Sequence, residues 1–165
     1  MAFDNTQTAL RQIGGLTVQR LSQGLKESNS DASGELDKSI GFKIRSSSKK
    51  IELNIEMLEY WSSVNYGQDP NVIFPLDQIK EWLTYPNVRD KIRLGQSDAQ
   101  FTESALNSAA YLISRKIWNK GTKGTDFATN VFTSNLITKE LPEVLTDAIA
   151  EDADAILADL LERFK

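Results

Sequence analysis

Residues 33–67, SGELDKSIGFKIRSSSKKIELNIEMLEYWSSVNYG, decide the reading of this chain. Ile40, Phe42 and Ile44 alternate with Gly41, Lys43 and Arg45, and Ile51, Leu53, Ile55 and Met57 alternate with Glu52, Asn54 and Glu56. Period-two alternation means strands with one buried face and one wet face. Ser46-Ser47-Ser48-Lys49 joins them as a short polar turn, so the two strands pair as an antiparallel hairpin. On the wet face Lys43 and Arg45 lie across from Glu52 and Glu56, in pairs that contribute about 0.2–1 kcal/mol each. A Ser-Gly-x-Leu-x-x-Ser-Ile signal (Ser33, Gly34, Leu36, Ser39, Ile40) opens the hairpin. The aromatic stretch from Leu58 to Tyr66-Gly67 follows it and reads as further extended chain.

Helices flank this centre. Over residues 5–28, Leu10, Ile13, Leu16, Val18, Leu21 and Leu25 form a loose apolar stripe, with Asn5 or Thr6 as its cap. Gly14-Gly15 inside it implies close packing against another backbone, with a hinge as the alternative. Residues 28–35 form a polar, turn-rich linker. Pro75 starts a short helix with Ile79, Trp82 and Leu83 on its apolar side, and Tyr85-Pro86-Asn87 stops it. Residues 87–98, with Arg89, Lys91 and Arg93, read as an exposed loop.

A helix over 98–120, capped by Asp98, puts Phe101, Ala105, Ala109, Leu112, Ile113 and Ile117 on one face; Gly121 ends it. Asp126 caps a short helix containing Phe127, Val131 and Phe132. Residues 141–164 carry an almost unbroken apolar stripe from Leu141 to Phe164 with an acidic opposite face, and Pro142 lies in the first turn. The fold class is therefore α+β: an antiparallel hairpin packed against several helices, with a long N-terminal helix and a C-terminal amphipathic helix. Residues 1–165 read as a single domain, with helix 1–28 as a candidate assembly arm.

Composition narrows the chemistry. The 165 residues include no cysteine and no histidine. Disulfides, thiolate chemistry and Cys-built zinc sites are out, and so are Ser-His and Cys-His catalytic arrangements. Any catalysis would rest on carboxylates, Lys, Tyr or Ser. The net charge of −4 disfavours nucleic acid as the main ligand. Residues 1–50 hold eight basic and five acidic residues, whereas residues 141–165 hold two and seven, a polarity that favours head-to-tail contact between copies. No stretch approaches the roughly 20 apolar residues of a membrane span. Met1-Ala2-Phe3-Asp4-Asn5 has neither a basic start nor an apolar run, so no signal peptide is expected.

Four groups carry side chains suited to chemistry. Asp147, Glu151 and Asp154, at i, i+4 and i+7 with Glu143 and Asp152 nearby, share a helix face and are the best metal candidates, although hard cations usually draw oxygens from more than one element. A solvated face accounts for them. Gly121-Thr122-Lys123-Gly124 resembles a phosphate or nucleic-acid loop by letters, but it follows a helix and lacks the complete order, and a helix-terminating turn explains it. Glu52 and Glu56 share a strand face and read as surface charge. Tyr60, Trp61, Tyr66, Trp82 and Tyr85 divide between core and interface. No catalytic, metal or cofactor residue is assigned, and no enzyme is expected.

Taken in order, Ser33-Gly34-Glu35-Leu36-Asp37-Lys38-Ser39-Ile40, then Tyr60 to Tyr66-Gly67, then Gly121 to Phe127 resemble the neck, or tail-completion, proteins of long-tailed bacteriophages, which join capsid to tail. The order spans most of the chain. Gly124 stands where that pattern usually has a proline, Asp31 is displaced from the usual acidic position, and residues 68–98 are longer than the pattern expects. The resemblance implies a structural virion protein in a tail-completion, tail-terminator or adaptor ring. Its partners would be copies of itself and neighbouring neck, connector and tail proteins. DNA would pass through the channel without sequence-specific binding, past an acidic lumen supplied by the C-terminal helix, and no membrane is involved. The expected location is the virion neck, after synthesis in the host bacterial cytoplasm. The alternatives are another phage tail or capsid component, a metal-dependent hydrolase using Asp147, Glu151 and Asp154, or a small nucleic-acid-binding module using the Gly121–Gly124 loop.

Overall fold

Every position of the Ser-Gly-x-Leu-x-x-Ser-Ile signal has a structural task in the computed structural model, which describes residues 3–28, 30, 33–47, 50–89 and 102–163. Gly34 takes φ +72°, a left-handed conformation that glycine adopts at no steric cost, and the chain turns there into a short helix, α2 (Glu35–Ser39). The Leu36 side chain is fully buried and Ile40 nearly so. The Ser39 hydroxyl donates to the Leu36 carbonyl at 2.7 Å and accepts from the Leu58 N–H at 3.0 Å. One serine thus ends α2 and ties it to the chain leaving the hairpin. This helix occupies the segment between the expected linker, residues 28–35, and the first strand, where the sequence suggested the opening of the hairpin.

The hairpin forms with the expected antiparallel pairing, but no residue of its two strands is fully buried, and β2 is half-buried on both faces where one buried and one wet face were expected. Strands β1 (Gly41–Ser46) and β2 (Ile51–Glu56) pair antiparallel, with Phe42 opposite Ile55, Ile44 opposite Leu53 and Arg45 opposite Glu52. Lys43 faces Asn54 directly and reaches diagonally to Glu56, in an ion pair of 2.6 Å. Glu52 pairs with Lys50. All these charges are solvent-accessible, so the pairs set register more than stability.

The long helix α1 (Asp4–Ser28) lies across this hairpin and also packs on the two late helices α7 (Phe127–Phe132) and α8 (Leu141–Arg163). It runs unbroken through Gly14-Gly15. A Cβ on Gly14 would lie 2.5 Å from Cδ2 of Phe42, so the close packing is against an aromatic ring, whereas a Cβ on Gly15 would meet nothing within 4 Å. The expectation of backbone-to-backbone packing is corrected accordingly. One core gathers Leu21 and Leu25 of α1, Leu36, Ile40, Phe127 and Ala128. Burial of such a leucine is worth about 1.5–3 kcal/mol.

A second core lies under α4 (Leu76–Thr84), α5 (Pro86–Arg89) and α6 (Glu103–Lys120), built on Ile79, Leu83, Val88, Ala109 and Ala110. Pro86 stops α4 as read, but the chain re-enters a helical turn at once, so residues 87–89 are helical where a loop was expected; residues 90–101 lie outside the described residues. Helix α6 starts at Glu103 with Thr102 as its cap, the hydroxyl accepting from the Ala105 N–H at 3.3 Å; the expected cap Asp98 lies outside the described residues.

Two further sequence expectations are corrected. The aromatic stretch after the hairpin is a helix, α3 (Trp61–Tyr66), not extended chain. Aromatic and branched residues weakly favour strand, and tertiary bonds override that preference here. Asp126 makes no side-chain cap on α7; that task falls to Asn65 of α3, which is fully buried. Its Oδ1 accepts from the N–H groups of Ala128 (2.8 Å) and Thr129 (3.2 Å), and its Nδ2 donates to the Thr129 hydroxyl at 2.8 Å. A π-helical turn (Leu136–Glu140) leads into α8. Its wider winding precedes Pro142, whose ring would clash with the carbonyl of Thr138 in an uninterrupted α-helix. The class is α+β.

Candidate functional site

The second and third motif segments meet in space. Gly67-Gln68 (β3) pairs antiparallel with Thr122-Lys123 (β4), Gly67 opposite Lys123. The glycines make this possible. A Cβ on Gly67 would lie 2.1 Å from the Thr122 carbonyl oxygen, one on Gly121 2.1 Å from that of Gln68, and one on Gly124 2.3 Å from that of Asn65. The Gly121–Gly124 segment is therefore a backbone-to-backbone join as well as a helix stop. Its N–H groups at Thr125 and Asp126 donate to the carbonyls of Val64 (3.1 Å) and Asn65 (2.9 Å).

The acidic candidates separate. Glu143, Asp147, Glu151 and Asp154 are exposed along α8, and among the described residues no group of three or more acidic side chains is placed to hold a metal ion. Asp152, between them in sequence, is buried instead. Its Oδ2 accepts from the Thr6 N–H (2.8 Å) and the Thr6 hydroxyl (2.6 Å), and its Oδ1 from the Asn5 N–H (3.1 Å). The cap of α1 is thus Asp152, not Asn5 or Thr6. The Thr6 hydroxyl bond, with the two backbone bonds, holds the Asp152 carboxyl below its ordinary pKa against the opposing effect of burial.

The aromatic residues line surfaces. Tyr66 is exposed and Trp61 half-buried, their rings 6.1 Å apart and tilted by 55°. Trp82, on the apolar side of α4, is partly exposed and lines an apolar cleft of about 700 Å³ with Val64, Phe74, Ile79, Ile113 and Ile117. Gln68 also lines the cleft, and its Oε1 is buried without a partner among the described residues.

The largest departure from sequence expectation is α8. Its stripe reads as core, but only Leu141, Ala148 and Asp152 are buried. Helices α1 and α8 pack together, and Asn5, Thr8 and Gln12 line one shallow groove with Val144, Asp147 and Glu151. Because Asp152 sits at the first turn of α1, the eleven residues from Ala153 to Arg163 run past the end of their neighbour, for about 16 Å. All of them except Ile156 are exposed, including Leu157 (57%), Leu160 and Leu161 (66%).

A second apolar surface lies on the outer face of α6. Leu112, read as core, is 65% exposed, and Tyr111, Trp118 and the neighbouring Ile73 (77%) are exposed with it. Ile73, Tyr111, Arg115 and Trp118 line one shallow groove. Residues 111–123 hold four basic side chains (Arg115, Lys116, Lys120, Lys123) and no acidic one, and none of the four makes an ion pair among the described residues. The sequence carried a signal for this surface: Tyr111, Leu112, Ile113, Ile117 and Trp118 cover a wider arc than one core face needs.

Among the described residues no helix is long and apolar enough to cross a membrane. Comparison with known family models, with curated proteins and with solved structures finds no match to this chain.

Proposed function

We propose that this chain is a structural virion protein at the head–tail neck of a tailed bacteriophage. It acts there in a tail-completion, tail-terminator or adaptor ring, with copies of itself and neighbouring neck, connector and tail proteins as partners. The observation that carries this reading is the apolar, acid-rimmed end of α8, left uncovered among the described residues. Exposed apolar surface rimmed by polar groups marks a protein-interaction site. The resemblance of the three motif segments to neck proteins supplies the setting. In this fold those segments hold the chain to itself through Leu36, Ser39 and the β3–β4 join, which suits a scaffold whose outer faces do the work. The net charge of −4 lets DNA pass without adhering.

Immunogold labelling of virions encoded by the same genome tests the reading, together with mass spectrometry of the purified particles. Gold at the joint between head and tail is the expected result. Particles that are complete, infectious and free of the chain overturn it.

A further inference from the structure

We infer that the overhanging end of α8 from one copy docks on the outer face of α6 of the next copy. This inference rests on the assembly reading above for its choice of a second copy as occupant, and it assigns the two surfaces that meet.

The two surfaces are complementary in shape class and in sign. The α8 end presents Leu157, Leu160 and Leu161 at helical spacing, flanked on one side by Glu151, Asp154 and Glu162. The α6 face presents Tyr111 and Trp118 two turns apart on one side of the helix, with Arg115 between them and Ile73 at the edge. Tyr, Trp and Arg are the residue types that most often anchor interfaces, because they give rigid apolar area with a polar or charged tip. A leucine ridge laid in that groove brings the acidic flank to Arg115, while Lys116 and Lys120, farther round the same helix, add to the basic field of α6.

Charge decides against the simplest rival, in which two α8 ends pair with each other. Residues 141–165 hold seven acidic and two basic side chains, so such a pair sets like charges side by side. Of the two exposed apolar surfaces, the α6 face is the one with basic side chains, so opposite charges meet when α8 faces α6. Because the surfaces differ, the contact is heterologous: each copy offers one end and accepts another, and the chain of contacts closes into a ring when the rotation per copy allows.

The test uses two full-length variants altered only at exposed positions. One carries Leu157→Asp with Leu161→Asp; the other carries Tyr111→Asp with Trp118→Asp. Circular dichroism and melting curves establish that both fold. Sedimentation velocity and native mass spectrometry then follow association against concentration and salt. The expected result has three parts. The parent chain associates, more weakly at high salt; each variant alone associates at least tenfold more weakly; a 1:1 mixture forms a 1:1 heterodimer that grows no further, since it holds one intact end and one intact face. A parent chain monomeric at every concentration overturns the inference, and so does an α6 variant that still self-associates like the parent. Virion labelling separates the two claims. A chain that sits at the neck but ignores both variants refutes this contact alone, whereas a chain that associates through these surfaces and is absent from virions refutes the neck alone.

Discussion

Asp152 caps the helix that begins 148 residues before it: its carboxylate takes both the backbone N–H and the side-chain hydroxyl of Thr6, at 2.8 and 2.6 Å. The first four N–H groups of any helix lack partners within the helix, and a local Ser, Asp or Asn usually supplies one. Here the partner comes from α8. The same bonds fix where α1 stops along α8, and so how much of α8 is left to project. Asn65 does the equivalent for α7 from α3. Two of the joints between elements that are distant in sequence are therefore caps.

Replacing Asp152 by Ala leaves the N–H groups of Asn5 and Thr6 without acceptors beside an apolar contact. The expected outcome is a lower melting temperature with faster amide exchange at Asn5 and Thr6, and little change at the far end of α1. Asp152→Asn keeps one acceptor oxygen and falls between the parent and the alanine variant. Exchange monitored by NMR checks both.

The Asp152 bonds also set a pH dependence. Hydrogen bonding from Thr6 depresses the folded pKa, so between the folded and unfolded values the unfolded chain binds the extra proton. The stabilisation is complete above the unfolded carboxylate range and is lost as pH falls through the lowered folded value. Asp37 behaves alike: the hydroxyl of Ser22 chiefly lowers its pKa, assisted by Lys26 at 3.0 Å. The stability gap between the parent and Asp152→Asn is expected to be constant from pH 8 to about pH 5 and to shrink below about pH 4. Urea titrations across that range check it.

Gly14 and Gly15 separate two effects that sequence alone joins. Gly15→Ala adds a methyl to open space on a helix and gains about 0.5–1 kcal/mol. Gly14→Ala pushes the Phe42 ring off α1, and the overpacking of about 1–3 kcal/mol exceeds the propensity gain. Combining Gly14→Ala with Phe42→Leu is expected to cost less than the two single changes added together. A double-mutant cycle in urea measures that coupling.

The outline was legible where the signal is local. Alternation from Ile40 to Met57 located the hairpin and which residues share each face, and apolar spacing located α1, α4, α6 and α8. Three things were hidden for physical reasons. Helix α2 is five residues long inside polar chain, too short for a periodic pattern. The caps of α1 and α7 come from residues far along the chain, and local capping rules point to Asn5, Thr6 and Asp126 instead. The stripe on α8 reports that a face is apolar, not whose surface covers it. Leu157 and Leu161 fit a core as well as an interface until the end of α1 is known, and that end depends on Asp152. The metal candidates failed to converge for a related reason: spacing on one helix aligns Asp147, Glu151 and Asp154 but brings no ligand from a second element.

Asn65 gives the sharpest stability prediction. It is fully buried, and all three of its side-chain hydrogen bonds cross to α7. Asn65→Ala strands the buried N–H of Ala128 and the part-buried N–H of Thr129, and an orphaned buried donor costs about 1–3 kcal/mol. With the hydroxyl of Thr129 also left without its donor, a loss of about 2–4 kcal/mol is expected, a large share of the 5–15 kcal/mol that holds a typical domain. Phe127 and Ala128 belong to the same core as Leu21, Leu25 and Leu36, so loosening α7 opens the packing of α1 as well. Asn65→Asp keeps the Oδ1 acceptor and puts a second oxygen where the Nδ2 donor stood, and the Thr129 hydroxyl can rotate to donate to it, so this variant is expected to lose less than the alanine at neutral pH. Urea unfolding with an unchanged slope measures the difference; an alanine variant as stable as the parent would show that α7 is held by its apolar contacts alone.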